Sequence, residues 1–238
     1  MITIKRNLSS LITLLDILRK VTIEANFEFR TDEIFIKFIP PSGFTLGIIE
    51  LKKEFFETYE IEKEYTITVD TTLLYKIIKK LGKKEINIEL LRNGGLIKCS
   101  SGKSFFELRT YTVPKDERPV PNVEYESIWN IDSNEFSNLI QEHLEFSTVA
   151  NFKSENDELR ALMKSDLISG EILTSAKCIL QNDVNCYYDI EMLSVVLGIK
   201  NIFKNIEYSF GNDLPCRIKG NNEELNFTWI LAPRIVGE

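Results

Sequence analysis

Histidine occurs once in this chain and cysteine four times, and no two of Cys99, Cys178, Cys186 and Cys216 have C-x-x-C spacing. That scarcity argues against a zinc site, and the cysteine spacing suggests no disulfide framework. The four are expected as free thiols of a reducing, intracellular compartment. No apolar run approaches the roughly 18 residues that a membrane span needs. The N-terminus, MITIKRNLSS, lacks the long apolar core of a signal peptide. There is no G-x-x-x-x-G-K-[ST] phosphate loop and no G-x-G-x-x-G turn. His143, flanked by Glu142 and Glu145 in a helical stretch, is expected on a solvated polar face. Asp157-Glu158 and Glu223-Glu224 fall in turns, the ordinary place for paired acids. No catalytic constellation and no cofactor are expected.

Proline is also sparse, yet three of the seven crowd into Thr110–Ser127, at Pro114, Pro119 and Pro121. Each lacks an amide donor and biases the preceding residue to extended backbone, so this stretch is neither helix nor interior strand. It reads as a connector running over a surface. Val113, Val120, Val123 and Tyr125 leave open a second reading, in which it lines a docking groove.

The chain has 238 residues, 43% of them apolar and 27% charged, which suits one large soluble domain or two ordinary ones. Its net charge of −7 is unevenly spread. Residues 1–109 carry 18 Lys and Arg against 15 Asp and Glu, whereas residues 110–238 carry 11 against 21.

Hydrophobic periodicity shows a repeated order. Ile2 to Arg6 alternates like a strand; Leu8, Leu11, Leu15 and Leu18 then form a helical stripe; and three alternating runs follow up to Ile48. Lys53 to Tyr59 reads as a short helical connection. Tyr65, Ile67 and Val69 open a second unit, with a helix from Thr71 to Leu81 capped by Asp70 or Thr71 and three strands after it. Asn93-Gly94-Gly95 supplies the positive-φ residues of a tight turn. A third unit has a strand at Ser127–Ile131, a helix to about Glu145 whose Asp132 and Glu135 resemble a capping box, and strands near 149–153, 159–165 and 170–175. The fourth has a helix from Asp189 to about Ile199 and strands at 205–210, 214–219 and 225–231. Four βαβββ units, two per half, predict an α+β fold of two similar domains with the helices on one face of antiparallel sheets. The expected domains are 1–109 and 128–238, joined by the connector at 110–127.

FTWILAPRI at Phe227–Ile235, FGNDLP at Phe210–Pro215, FFETY at Phe55–Tyr59 and LLYKIIKK at Leu73–Lys80 carry a resemblance over the whole chain. Together with the four-unit repeat, they resemble the DNA sliding clamps of archaea and eukaryotes, the proliferating cell nuclear antigen (PCNA) family, here of archaeal type. The resemblance implies the DNA-clamp fold and a ring of three subunits around duplex DNA, acting as a DNA polymerase processivity factor. Subunits would join through edge strands at Ser104–Tyr111 and Gly170–Lys177. It implies DNA polymerase, flap endonuclease, ligase and clamp loader as partners, bound through short peptide motifs, in an archaeal cytoplasm or a eukaryotic nucleus. Alternatives are a paralogue working only within a heterotrimeric or checkpoint-type clamp, and a clamp-fold interaction module that does not encircle DNA. The chain departs from the family at Ile39-Pro40-Pro41-Ser42, where a Met-Asp-Pro-Ser-like turn is usual.

Lys76, Lys79, Lys80 and Lys83 stand at i, i+3, i+4 and i+7, opposite an apolar stripe of Leu73, Leu74, Ile77, Ile78 and Leu81. By pattern alone this is a solvated helix face. The resemblance makes Lys76 and Lys79 DNA-facing positions, with Arg19 on a second basic position of the inner surface. Lys80 and Lys83 are assigned to the same DNA-binding set, which needs only cationic ends near phosphates. The second half differs: Asn138, Gln141, Glu142, Glu145 and Glu191 occupy positions where the family often has Arg or Lys, with Lys200 nearby. The resemblance also implies a partner-peptide groove at Ile39, Leu46, Val120, Tyr125, Pro215, Leu231, Ala232, Pro233 and Ile235; the plain alternative is that these residues close a core.

Overall fold

In a computed structural model, residues 1–61, 63–82, 85–111, 118–164 and 168–235 are described. The chain packs into two units. The first takes Met1–Gly43, Gly47–Arg118 and Asn221–Phe227, and the second takes Phe44–Leu46, Pro119–Gly220 and the stretch from Thr228 onward. Among the described residues no helix is long and apolar enough to cross a membrane.

The first unit opens with β1 (Ile2–Ile4), α1 (Leu8–Val21), β2 (Glu24–Phe29), β3 (Glu33–Phe38) and β4 (Thr45–Lys52, most of it in this unit). It continues with β5 (Thr58–Tyr59), β6 (Tyr65–Asp70), α2 (Thr71–Leu81), β7 (Ile86–Leu91), β8 (Leu96–Ser101) and β9 (Ser104–Arg109). Strands β5-β1-β7-β8-β9 form one antiparallel sheet, and β4-β3-β2-β6 lie in another. Alternation buries Phe27, Phe29, Ile34, Ile36 and Phe38, and the first three meet the buried Leu11, Leu15, Leu74 and Ile78 of the two helices. Their packing leaves a void of only about 30 Å³. Asp70 caps α2 by accepting from Leu73 N at 2.8 Å. The Arg92–Gly94 turn carries positive φ at all three residues, so the expectation holds for Asn93 and Gly94, whereas Gly95 has φ −72° and Arg92 takes the third left-handed place.

The second unit repeats the order with β10 (Ser127–Asp132), α3 (Ser133–Leu144), β11 (Val149–Glu155), β12 (Glu158–Lys164), β13 (Ser169–Leu173) and β14 (Lys177–Leu180). Then come β15 (Val184–Asp189), α4 (Ile190–Ser194), β16 (Asn205–Phe210), β17 (Cys216–Asn221, all but its last residue in this unit) and β18 (Leu225–Leu231, in this unit from Thr228). β13-β12-β11-β15 form one sheet, and β14-β10-β16-β17 lie in another. The aromatic core is dense: Tyr208 packs against Phe152, Phe136 and Phe210 at centroid separations of 4.9, 5.4 and 5.3 Å.

Four local expectations need correction. Lys53–Tyr59 is one short 3₁₀ turn, Lys53–Phe55, followed by the added strand β5. The third unit has a fifth strand, β14, so Gly170–Lys177 is not one strand: β13 ends at Leu173 and β14 begins at Lys177. α4 is α-helical for five residues and continues as 3₁₀ helix over Val195–Asn201, where two valines and Gly198 weaken the α-helix. Asp132 does cap α3, but Glu135 does not close a capping box. Its carboxylate accepts from Ser175 N and Oγ at 2.5 and 2.7 Å instead.

Candidate nucleic-acid interface and partner groove

The basic face is built where α1 and α2 pack together. Burial of Leu74, Ile78 and Leu81 turns Lys76, Lys79 and Lys80 outward into solvent, as the period of 3.6 demands. Leu73, assigned to the apolar stripe, is instead 45% exposed because it lies a full step off that stripe. Lys83 lies outside the described residues.

Arg19 reaches this face from α1. Its guanidinium lies 4.3 Å from the centroid of the Tyr75 ring, while Lys79 Nζ donates to the Tyr75 hydroxyl at 2.9 Å. Tyr75 thus joins a cation from each helix. Arg19 also donates to Asp16, and Lys20 pairs with the same carboxylate at 2.7 Å. Tyr75, Lys20 and Asp16 were missed by sequence reasoning. Asp16, Arg19 and Lys20 at i, i+3 and i+4 were a readable pairing signal. Tyr75 could not be placed beside Arg19 without the helix packing. Lys76 and Lys80 have no ion-pair partner among the described residues.

The helices of the second unit show the opposite sign. Asn138, Gln141, Glu142 and Glu145 are exposed on α3 and just beyond it, Glu191 is exposed on α4, and Lys200 is half-buried. His143 does not join that polar face. It is 0% exposed, on the stripe of Phe136, Leu139 and Ile140, with Nδ1 2.9 Å from Leu139 O. The spacing of seven from Phe136 turns it inward despite its polar ring.

The expected groove residues divide by burial. In the first unit, Ile39 is half-buried beside the turn in which Gly43 N donates to Pro40 O at 2.9 Å. In the second, Leu46 and Leu231 are core residues, so they back a surface without lining it. Ala232 N donates to Phe44 O at 2.8 Å, which fixes Ala232 and the half-buried Pro233 beside the 65% exposed Phe44. Phe44 was not foreseen as a candidate. Val120 is 46% and Ile235 92% exposed, and Pro215 is half-buried. Tyr125 sits under the Arg217 guanidinium at 4.6 Å. Burial pushes its phenol up to about 12, against the opposing charge of Arg217. Arg234 N donates to Tyr187 O at 2.7 Å, fixing the backbone just before Ile235.

Two sheet edges complete the set. β9 ends the β5-β1-β7-β8-β9 sheet and exposes Phe105 by 60% and Phe106 by 40%. It stops at Arg109, two residues short of the expected end, because Tyr111 turns away to bridge Thr68. β13 ends the sheet of β12, β11 and β15 and exposes Leu173 by 56%. Beside it lies a cleft of about 1100 Å³ whose lining includes Leu144, Phe146, Met163 and Tyr187. Among the described residues no cluster of His, Cys, Asp and Glu is arranged to hold a metal ion.

Comparison with known proteins places these features in context. Residues 1–93 match the model of the N-terminal domain of proliferating cell nuclear antigen. The chain is 25% identical over 227 residues to the DNA polymerase sliding clamp 2 of Sulfolobus acidocaldarius, covering 89% of this chain and 90% of that one. It is 22% identical over 230 residues to the DNA polymerase sliding clamp of Methanothermobacter thermautotrophicus, covering 95% and 94%. A PCNA2–PCNA3 complex from Sulfolobus tokodaii contains a similar chain, with a TM-score of 0.89 at 21% identity over 98% of both chains. PCNA of A. fulgidus, solved with the C-terminal region of FEN-1, gives a TM-score of 0.88 at 21% identity over the full length of both.

Proposed function

We propose that this chain, a DNA sliding clamp of the proliferating cell nuclear antigen family and of archaeal type, encircles duplex DNA as one subunit of a ring and tethers replication and repair enzymes to it. The observation that carries this reading is the match to relatives named as sliding clamps over nearly the whole of both chains. The physical task is topological: a closed ring keeps a bound polymerase at high local concentration near its template, which makes synthesis processive without any chemistry by the ring. Its place of work is the intracellular compartment where DNA is copied.

Lys76, Lys79, Lys80 and Arg19 supply the DNA-facing cations in this reading. Supporting it are the outward projection of the three lysines and the convergence of Arg19 and Lys79 on Tyr75. Contact is with phosphates, without sequence preference. The ring closes when β9 of one subunit adds to β13 of the next, covering Phe105, Phe106 and Leu173 and ending two exposed sheet edges. Partner enzymes, a flap endonuclease among them, dock a short peptide at the surface of Phe44, Val120, Tyr125, Pro215 and Ala232–Ile235, with an aromatic anchor carrying most of the energy.

A loading experiment tests the function: clamp loader, primed circular DNA, polymerase and this chain, with the paralogous clamp subunits of its source. Processive synthesis that depends on this chain is expected. Replacing Lys76, Lys79 and Lys80 by Ala should weaken stimulation and make it less dependent on salt, since fewer cations engage phosphate. Equal stimulation by the triple variant across the salt series refutes the lysine assignment, and synthesis indifferent to the chain refutes the function.

A second reading, favoured by the exposed Glu142, Glu145 and Glu191, makes this chain one member of a mixed ring. The Sulfolobus tokodaii relative is solved as a complex of two different clamp chains.

A further inference from the structure

Both cations in the last turn of α1 share one carboxylate. Arg19 donates to Asp16 Oδ1 through Nε at 2.8 Å and Nη2 at 2.5 Å, and Lys20 Nζ lies 2.7 Å from Oδ2. Desolvation alone would raise the Asp16 pKa. The hydrogen bonds and charges of Lys20 and Arg19 outweigh it and hold the carboxyl below its ordinary value. The same bond to Asp16 is the chief reason the Arg19 guanidinium is held above its own ordinary value. Arg19 is thus bound on one side by Asp16 and on the other by the Tyr75 ring, 4.3 Å away.

α2 is arranged differently. Lys79 touches a phenol, not a carboxylate, and neither Lys76 nor Lys80 has an ion-pair partner among the described residues. Of the two helices, α2 therefore offers its cations to solvent, while α1 offers two that are already half neutralised. A phosphate nearing Arg19 or Lys20 must displace Asp16 or share the cation with it, and it meets the repulsion of that carboxylate on the way.

We propose that Asp16 is a positioning residue that attenuates DNA contact: it holds Arg19 on Tyr75 and withholds cationic charge of α1 from phosphate. This rests on the reading of the α1–α2 face as the DNA face. It gives that face free contacts on one helix and restrained ones on the other. A ring held by topology needs cations that guide DNA, and strong ion pairs with phosphate would oppose sliding.

The test measures binding of the assembled protein to a fluorescein-labelled duplex, by anisotropy, across a potassium chloride series. Asp16→Asn should bind several-fold more tightly at low salt. Its plot of log affinity against log salt should steepen by about 0.9 for each cation newly engaged with phosphate. Asp16→Glu, which keeps the charge at the same pairing distance along the helix, should restore wild-type affinity and slope. In an Arg19→Gln, Lys20→Gln background, Asp16→Asn should gain much less, since the cations it would free are gone. An unchanged slope for Asp16→Asn, weaker binding, or an equal gain in that background overturns the proposal. A Lys76→Ala, Lys80→Ala variant separates the two levels. If its binding is as indifferent as that of Asp16→Asn, the DNA-face reading itself falls; if it weakens and only Asp16→Asn is silent, the attenuator alone is wrong.

Discussion

At the scale of single residues, burial decides chemistry that residue type leaves open. Cys178 is exposed on β14, whereas Cys99, Cys186 and Cys216 are buried. Burial pushes the Cys99 thiol up to about 12 and raises Cys186 and Cys216 as well. Thiolate is the reacting species, so the three buried groups stay protonated and shielded at mildly alkaline pH. Titration with Ellman's reagent should count one fast thiol per folded chain and four in denaturant; two fast thiols in the folded protein would contradict this burial pattern. His143 gives a second case. Its Nε2 is buried without a partner among the described residues, while Nδ1 contacts a carbonyl of its own helix. Replacing it with Leu removes a desolvated polar atom at similar volume, so stability should change by less than about 1.5 kcal/mol or rise. His143→Ala, which leaves a hole, should cost about 2 kcal/mol or more in urea unfolding. The inward position was legible from its spacing on the Phe136, Leu139 and Ile140 stripe. The polar identity of the residue, with glutamates beside it, pointed the other way.

Whole elements were more legible than their ends. Period alone located α1, α2 and α3, since each has a buried stripe at helical spacing. β14 was not legible: its four residues are all exposed, so it lacks the inward alternation by which other strands announce themselves. α4 was overextended because an apolar 3₁₀ run looks like an α-helix over one or two turns. The lysine face of α2 could be read from i, i+3 and i+4 spacing, but its junction with Arg19 at Tyr75 is a product of helix packing. Strand register likewise rests on contacts that sequence does not display. Gly47 faces Phe38 across β3 and β4, and a Cβ added there would stand 2.0 Å from the Phe38 ring. Phe38 is itself buried and has little room to retreat. Gly47→Ala should therefore cost about 1–3 kcal/mol through overpacking. A thermal midpoint equal to wild type would show that the β3–β4 pair relaxes freely.

For the whole molecule the question is what would close a ring in the clamp reading. If β9 of one copy joins β13 of the next, Phe105 is covered in the assembly and 60% exposed outside it. Phe105→Asp would bury a charge at that junction, so it should keep this chain's β9 from joining its neighbour and lower the assembly mass, without lowering the stability of each subunit. Light scattering beside urea unfolding checks this, and an unchanged assembly mass would rule Phe105 out of the junction. Composition of the ring is a separate matter of sign. Residues 110–238 carry 21 acidic against 11 basic residues, and Glu142, Glu145 and Glu191 are exposed on or beside the helices of the second unit. In a ring of three identical subunits those carboxylates recur three times, and in the clamp reading they face the duplex. Exposed pairs interact weakly at physiological salt, but a hole lined by one sign of charge would focus the potential that DNA meets. Subunits with basic residues at these positions would relieve that repulsion. We therefore expect a mixed ring: this chain alone at low micromolar concentration should give no stable trimer mass, and addition of a paralogous clamp chain should produce one. Glu142→Lys with Glu145→Lys should then strengthen DNA contact by the assembled ring and steepen its salt dependence. A trimer formed by this chain alone, and loaded onto DNA with no paralogue present, would remove the need for any second kind of subunit.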